Sequence, residues 1–301
     1  MKIGVIGIGL MGLPIAQRLC ELGHEVQVCD IDPSRLALAH GCVIAPRAAA
    51  LAARCELVIV AVVDAEQTHE VLFGPRGVMQ AQPMPSAVML CPTIGAADTE
   101  RFAAALSAQG IAVIDAPMSG GPLRARAGTM SLMVACADEV FASWQPLLAQ
   151  LSSQVHRVGT CAGDGARTKL VNNLLAAINL AGMAEAMALA QRLGLDPGVT
   201  LAVIEQSSGQ SWIGSERIRR VLARDTTPSA TMSLLAKDSA LALAEARAAT
   251  LATPTGDAAA AQFAAAVAAG WGQADDSTLW PFVAQRGAAA IPAPALAENA
   301  P

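Results

Sequence analysis

The chain has 301 residues, 53% of them in the broad hydrophobic set and 15% charged, with a formal net charge of −5 at pH 7. That length can bury a large core and suffices for two domains. The acidic balance, with no run of Lys or Arg, excludes a nucleic-acid-binding surface and points to small-molecule partners.

The seven cysteines, Cys20, Cys29, Cys42, Cys55, Cys91, Cys136 and Cys161, form no CxxC pair and are odd in number. Neither a disulfide framework nor a metal site is expected, and they read as small core residues in a reducing cytoplasm. Glycines interrupt the apolar start after Met1-Lys2, so it does not read as a signal peptide. The Ala-rich segments 176–190 and 258–269 carry Asn179, Glu185 and Gln262, and no membrane span is expected.

In chain order, Lys2 to Ile6 is a short apolar run that ends in Gly7-Ile8-Gly9-Leu10-Met11-Gly12. A helical pattern from Leu13 to Leu22 follows, closed by Gly23. Strand, glycine turn and helix together form a dinucleotide cradle. The first glycine makes the turn, the second admits a pyrophosphate, the third lets helix pack on strand, and the helix N-terminus faces the phosphates. A second strand, Glu25 to Cys29, ends at Asp30, where a carboxylate would hold the ribose 2′-hydroxyl of NAD and repel the 2′-phosphate of NADP. Asp32 and Pro33 read as the cap and first residue of the next helix.

Leu57 to Val63 is a continuous apolar strand of the kind buried on both faces of a parallel sheet, and Ala87 to Cys91 and Ile111 to Asp115 repeat the pattern with helices between. The alternation predicts a doubly wound parallel sheet, with ligands beyond the carboxyl ends of its strands, where Val62, Val63 and Thr93 fall. After Asp115 comes Ala-Pro-Met-Ser119-Gly120-Gly121, a turn whose backbone N–H groups and hydroxyl can bind a carboxylate, although an ordinary glycine loop would read the same way.

From Gly163 the composition turns to Ala-rich helix, which places the boundary of a dinucleotide-binding domain, 1–162, and a helical domain, 163–286, near residue 162. A flexible tail, 287–301, is expected beyond them. The helical domain opens on Gly163-Asp-Gly-Ala-Arg-Thr-Lys169-Leu-Val-Asn-Asn173. Lys169 and Asn173 stand four apart, so a helix aims an amine and an amide from one face. The glycines at 163 and 165 permit a sharp turn, and the apolar run to Leu193 predicts a buried helix. Lys237-Asp238 opens a later helix and by itself reads equally as a solvated pair.

These four motifs, in this order, resemble those of the β-hydroxyacid dehydrogenase family, from residue 1 to about 283. The resemblance implies a Rossmann domain, a helical domain that forms a homodimer or homotetramer interface, and oxidation of a 3-hydroxy acid by hydride transfer to NAD(P). By resemblance, Lys169 is the catalytic lysine, Asn173 the orienting amide, and Ser119, Gly120 and Gly121 the carboxylate-binding turn. Thr93 and Lys237 are cofactor contacts, and Asp238 accompanies that lysine. Val62-Val63-Asp64-Ala65, Leu72-Phe73-Gly74, Ser211-Trp212 and Asp275-Asp276-Ser277 look closer to the L-threonate dehydrogenase branch than to the 3-hydroxyisobutyrate one. Arg124, Gln210 and Ser211 are candidate polar groups for the substrate. Two alternatives stand beside NAD-dependent oxidation: an NAD(P)H-dependent reductase of a semialdehyde such as tartronate semialdehyde, and a nucleotide sensor without turnover.

Overall fold

The computed structural model describes residues 1–225 and 227–286. The expected tail lies outside them.

Among the described residues nine strands form one sheet: β1 (Lys2–Ile6), β2 (Glu25–Cys29), β3 (Val43–Ile44), β4 (Leu57–Val60), β5 (Ala87–Leu90), β6 (Ala112–Asp115), β7 (Met118–Ser119), β8 (Ser131–Ala135) and β9 (Gln154–Gly159). Their order is β3-β2-β1-β4-β5-β6-β8-β7, with β9 on β8. The first six are mutually parallel, whereas β8 runs antiparallel to β6 and β7. Strand order reverses between β1 and β4, which opens a crevice beyond their carboxyl ends. The helices of this part are α1 (Gly12–Glu21), α2 (Pro33–Leu36), α3 (Ala48–Ala52), α4 (Ala65–Phe73), α5 (Ala96–Ser107), α6 (Gly121–Ala127) and α7 (Asp138–Leu151).

Every residue of β4 and β5 is buried, as strands covered on both faces require. One face packs Ile3, Val5, Leu57, Ile59, Ala87 and Met89 with Ile15 and Leu19 of α1; the other packs Val58, Val60, Val88 and Leu90 with Leu51, Leu72 and Phe102. Alternate residues of one strand feed opposite cores because β side chains alternate. The expected strand to Val63 is shorter: β4 ends at Val60, and Val63 is exposed, its N–H held by Gln67 Oε1 at 3.2 Å. Asp64 caps α4 there by accepting from Gln67 N, so helix initiation ends the strand. Strand β9 escaped sequence reading because Gln154, His156 and Arg157 break its apolar pattern.

The remaining helices are α8 (Asp164–Arg192), α9 (Pro197–Glu205), α10 (Trp212–Leu222), α11 (Met232–Ala248), α12 (Pro254–Ala266) and α13 (Leu279–Gln285). Two compact units emerge, Met1–Leu174 with Lys237–Thr253, and Leu175–Ala236 with the segment from Pro254 onward. The first unit therefore runs past the boundary expected at 162 and takes in the start of α8 and most of α11. The second unit has its own core of Leu180, Met183, Met187, Ile218, Phe263, Leu279 and Phe282.

Helix α8 is not buried all round, contrary to its apolar pattern: Val171, Leu175 and Leu189 are each more than half exposed. By length and composition it is apolar enough to cross a membrane. Ala177, Leu180, Ala184 and Met187 instead form a stripe in the core of the second unit. The cysteines also depart from expectation. Cys55, Cys91 and Cys136 are core residues, but Cys20, Cys29 and Cys42 are half-buried and Cys161 is exposed.

Candidate active site

The glycine turn has the shape that a dinucleotide needs. A Cβ on Gly12 would run into the Gly7 carbonyl oxygen, so only glycine lets α1 start this close to the end of β1, whereas a Cβ on Gly9 would meet nothing within 4 Å. Tight packing behind and open space in front are the two demands of a pyrophosphate cradle. Leu10 and Met11 lie in the turn between Gly9 and Gly12, with Met11 at the N-cap of α1. Asp30, just past β2, accepts the Ile8 N–H at 2.7 Å on one carboxylate oxygen and the Asp32 N–H at 2.9 Å on the other. The acid thus braces the glycine turn from the adjacent strand end. Val62 is half-buried against this turn, with Cγ1 2.9 Å from where a Cβ on Gly7 would stand.

Thr93 follows β5, and its carbonyl accepts from Lys237 Nζ at 2.6 Å. The same ammonium lies 2.8 Å from Asp238 Oδ1, and Asp238 Oδ2 accepts from Asn173 Nδ2 at 2.8 Å. Eight residues along α11, Glu245 Oε1 accepts from Ala96 N at 3.0 Å, capping α5. Sequence reasoning missed Glu245, which stands outside any motif. The pair Lys237-Asp238 is not solvated, since Asp238 is only 6% exposed. A carboxylate only accepts, so the Asn173 amide turns its nitrogen to Asp238 and leaves its oxygen on the other side, where Asn172 Nδ2 lies at 3.2 Å.

Lys169 stands one turn before Asn173 on α8 and is 8% exposed. Among the described residues, nothing pairs with its ammonium by hydrogen bond or within ion-pair distance. Burial brings its pKa down to about 8; Asp238 works against that shift and Lys237 adds to it. A lysine in this state exchanges a proton near neutral pH.

The start of α8 is anchored by Asp115, a residue that sequence reading took only as a strand end. Asp115 is 2% exposed, and its Oδ2 accepts from Gly163 N at 2.8 Å and Ala166 N at 3.2 Å. Gly165 does not make the turn as expected; a Cβ there would lie 2.8 Å from both the Asp115 carboxyl and the Met133 carbonyl oxygen, so it permits close approach. Four residues beyond Asp115, Ser119 ends β7, and Gly120 and Gly121 both have positive φ, 127° and 74°, a conformation that only glycine adopts cheaply. Among the described residues no hydrogen bond joins this turn to Lys169 or Asn173; Asp115, four residues before Ser119, bonds the start of α8 instead. Of the other polar candidates, Ser211 caps α10 by accepting from Gly214 N at 3.2 Å. A hollow of about 590 Å³, lined by Lys2, Glu25, Arg54 and Glu56 among others, opens at the amino ends of the strands, at the opposite edge from this cluster.

A glycine turn shaped for a dinucleotide and a buried lysine unpaired among the described residues are what a nicotinamide-dependent hydroxyacid dehydrogenase requires, and comparison with known proteins gives that class. Residues 2–159 match the model of the NAD binding domain of 6-phosphogluconate dehydrogenase, and residues 163–283 match that of the NAD-binding region of NADP-dependent 3-hydroxyisobutyrate dehydrogenase. The chain is 38% identical to an L-threonate dehydrogenase of Cupriavidus necator over 92% of this chain and 94% of that one. It is 32% identical to a 2-hydroxy-3-oxopropionate reductase of Escherichia coli over 93% and 96% of the two chains. A 3-hydroxyisobutyrate dehydrogenase structure from Salmonella typhimurium superposes with a TM-score of 0.86 at 32% identity, covering 94% of this chain and 99% of that one. The chain belongs to the β-hydroxyacid dehydrogenase family.

Proposed function

We propose that the chain oxidises the alcohol of a small hydroxy acid, L-threonate-like or 3-hydroxyisobutyrate-like, with NAD and with Lys169 as general base. Bound NAD supplies the hydride acceptor. In this reading the neutral Lys169 amine takes the hydroxyl proton at Nζ and, once protonated, returns it in the reverse direction. Asn173, its amide held by Asp238, orients the hydroxyl, and the Ser119, Gly120 and Gly121 turn binds the substrate carboxylate through backbone N–H groups and the Ser119 hydroxyl. Gly7 to Gly12 cradle the pyrophosphate, Asp30 holds the ribose diol and sets the preference for NAD over NADP, and Val62, Val63, Thr93 and Lys237 line the cofactor. The observation that carries the reading is Lys169 itself, buried, without a pairing group among the described residues and with its pKa lowered to about 8 by burial. The resemblance further implies assembly as a homodimer or homotetramer, which light scattering tests.

The experiment is to follow reduced-nicotinamide absorbance with NAD or NADP and a panel of L-threonate, 3-hydroxyisobutyrate, glycerate and L-serine. Turnover with NAD and one of these acids is expected. The relative named 2-hydroxy-3-oxopropionate reductase favours a second, reductive reading. Silence across the panel, with NADH binding demonstrated separately, overturns the oxidative reading and directs the assay to semialdehydes with NADH. Binding without turnover in either direction leaves the nucleotide sensor.

A further inference from the structure

The sulfur atoms of Cys20 and Cys42 lie 3.3 Å apart, on elements that the fold brings together from 22 positions away in the chain. Cys20 is in the last turn of α1, and Cys42 closes the tight turn that leads into β3, with its N–H on the Ala39 carbonyl at 3.1 Å. A second contact holds the two elements in place, Cys20 Sγ to the Gly41 carbonyl at 3.5 Å. Both side chains are half-buried, so a small reagent reaches them. Cys42 is also fixed from its other side, since Val43 and Ile44 pair with Gln27 and Val28 of β2. The segment between the two cysteines contains β2, Asp30 and α2, the whole corner that braces the glycine turn.

We infer that Cys20 and Cys42 form a dithiol site that closes reversibly into an intramolecular disulfide and chelates trivalent arsenicals. This inference does not rest on the proposed reaction. Closure needs the sulfurs to approach by roughly 1.3 Å, to the ~2.05 Å of a disulfide. With a diazenedicarboxamide oxidant, one thiolate adds to the N=N bond to form an S–N bond, and the second thiolate attacks that sulfur, breaking the S–N bond and expelling the hydrazine. One S–S bond forms, two thiol protons are released, and the electron pair and two protons reduce the diazene to a hydrazine. With phenylarsine oxide, the two thiols condense on one arsenic with loss of water and no net redox change. Burial and the neighbouring thiol push Cys42 up to about 12, so it is a thiol at neutral pH and its thiolate is scarce.

The test is non-reducing peptide mapping of the full-length chain after brief treatment with the diazenedicarboxamide, with thiol counting before and after dithiothreitol. The expected result is one linked peptide pair containing Cys20 and Cys42, loss of two titratable thiols per chain, and full recovery on reduction. Phenylarsine oxide should block the same two thiols, and both effects should vanish in Cys20→Ser and in Cys42→Ser while persisting in Cys161→Ser. Thermal unfolding of each variant in the reduced state checks that it folds. An untouched Cys20 and Cys42, or linkage only through the exposed Cys161, overturns the inference.

Discussion

Asp115 accepts the Gly163 N–H at 2.8 Å, so the acid that ends β6 caps the helix that carries Lys169. The contact joins two motifs 48 residues apart, and it anchors the helix six residues before the amine of Lys169. Burial raises Asp115 to about 6 in spite of the Gly163 and Ala166 N–H groups that favour its charged form.

The sign of that shift gives a stability prediction for Asp115→Asn. Between the ordinary carboxylate value and about 6, the folded chain holds a proton that the unfolded chain releases, so the Asp115 contribution is present at low pH and lost as pH rises through about 6. The stability difference, wild type minus variant, should fall by on the order of 3 kcal/mol across that window. Urea unfolding from about pH 4 to about pH 7 measures it. Parallel profiles would mean that Asp115 does not titrate as described. Turnover of the variant should also drop roughly tenfold or more, because displacing α8 misplaces Lys169.

Lys169→Ala should lower turnover at least about a hundredfold while NADH binding, read by fluorescence, survives. In the wild type, oxidation should rise with pH and level off above about 8, since the base must be neutral, and reduction should show the opposite limb. The same shift works against stability. At neutral pH the buried ammonium is held below its ordinary value, so Lys169→Met should resist urea better than the wild type at about pH 7. An oxidation rate independent of pH between about 6 and about 9 would remove Lys169 from the proton transfer.

Asp30→Ala should reduce the NAD to NADP preference in kcat/KM by about tenfold, by removing a carboxylate that repels a 2′-phosphate. The variant also loses the acceptor for Ile8 N, so weaker binding of both cofactors is expected alongside the changed ratio. Equal weakening of both, with the ratio unchanged, would make Asp30 a brace of the turn and nothing more.

In the second unit, Arg217 is hydrogen-bonded through Nε and Nη2 to Asp276, and both side chains are buried. Asp276→Ala removes the main partner of a desolvated guanidinium and should cost about 3 kcal/mol in urea unfolding, with Glu216 retained as a partial counter-charge. A cost below about 1 kcal/mol would show that Glu216 or water replaces it.

Much of this was determined by the sequence alone. Strand, glycine turn, helix and terminal acid are local patterns with fixed spacing, so the Rossmann start and Asp30 were readable, as was the shared face of Lys169 and Asn173. The helix cap at Asp32 was readable for the same reason, and the structure has Asp32 accepting from Ser34 N at 2.8 Å. What only the tertiary structure decided was long-range partnership. Nothing local says that Asp115 caps α8, that Asp238 holds Asn173, that Glu245 caps α5, or that Cys20 meets Cys42. Each joins residues more than 20 positions apart, and the energy that selects such a pair comes from burying whole elements together, which the order of residue types along the chain does not encode locally. The same reason explains the helix expected to be buried: composition reports how apolar α8 is, but which of its faces find a partner depends on the elements packed around it.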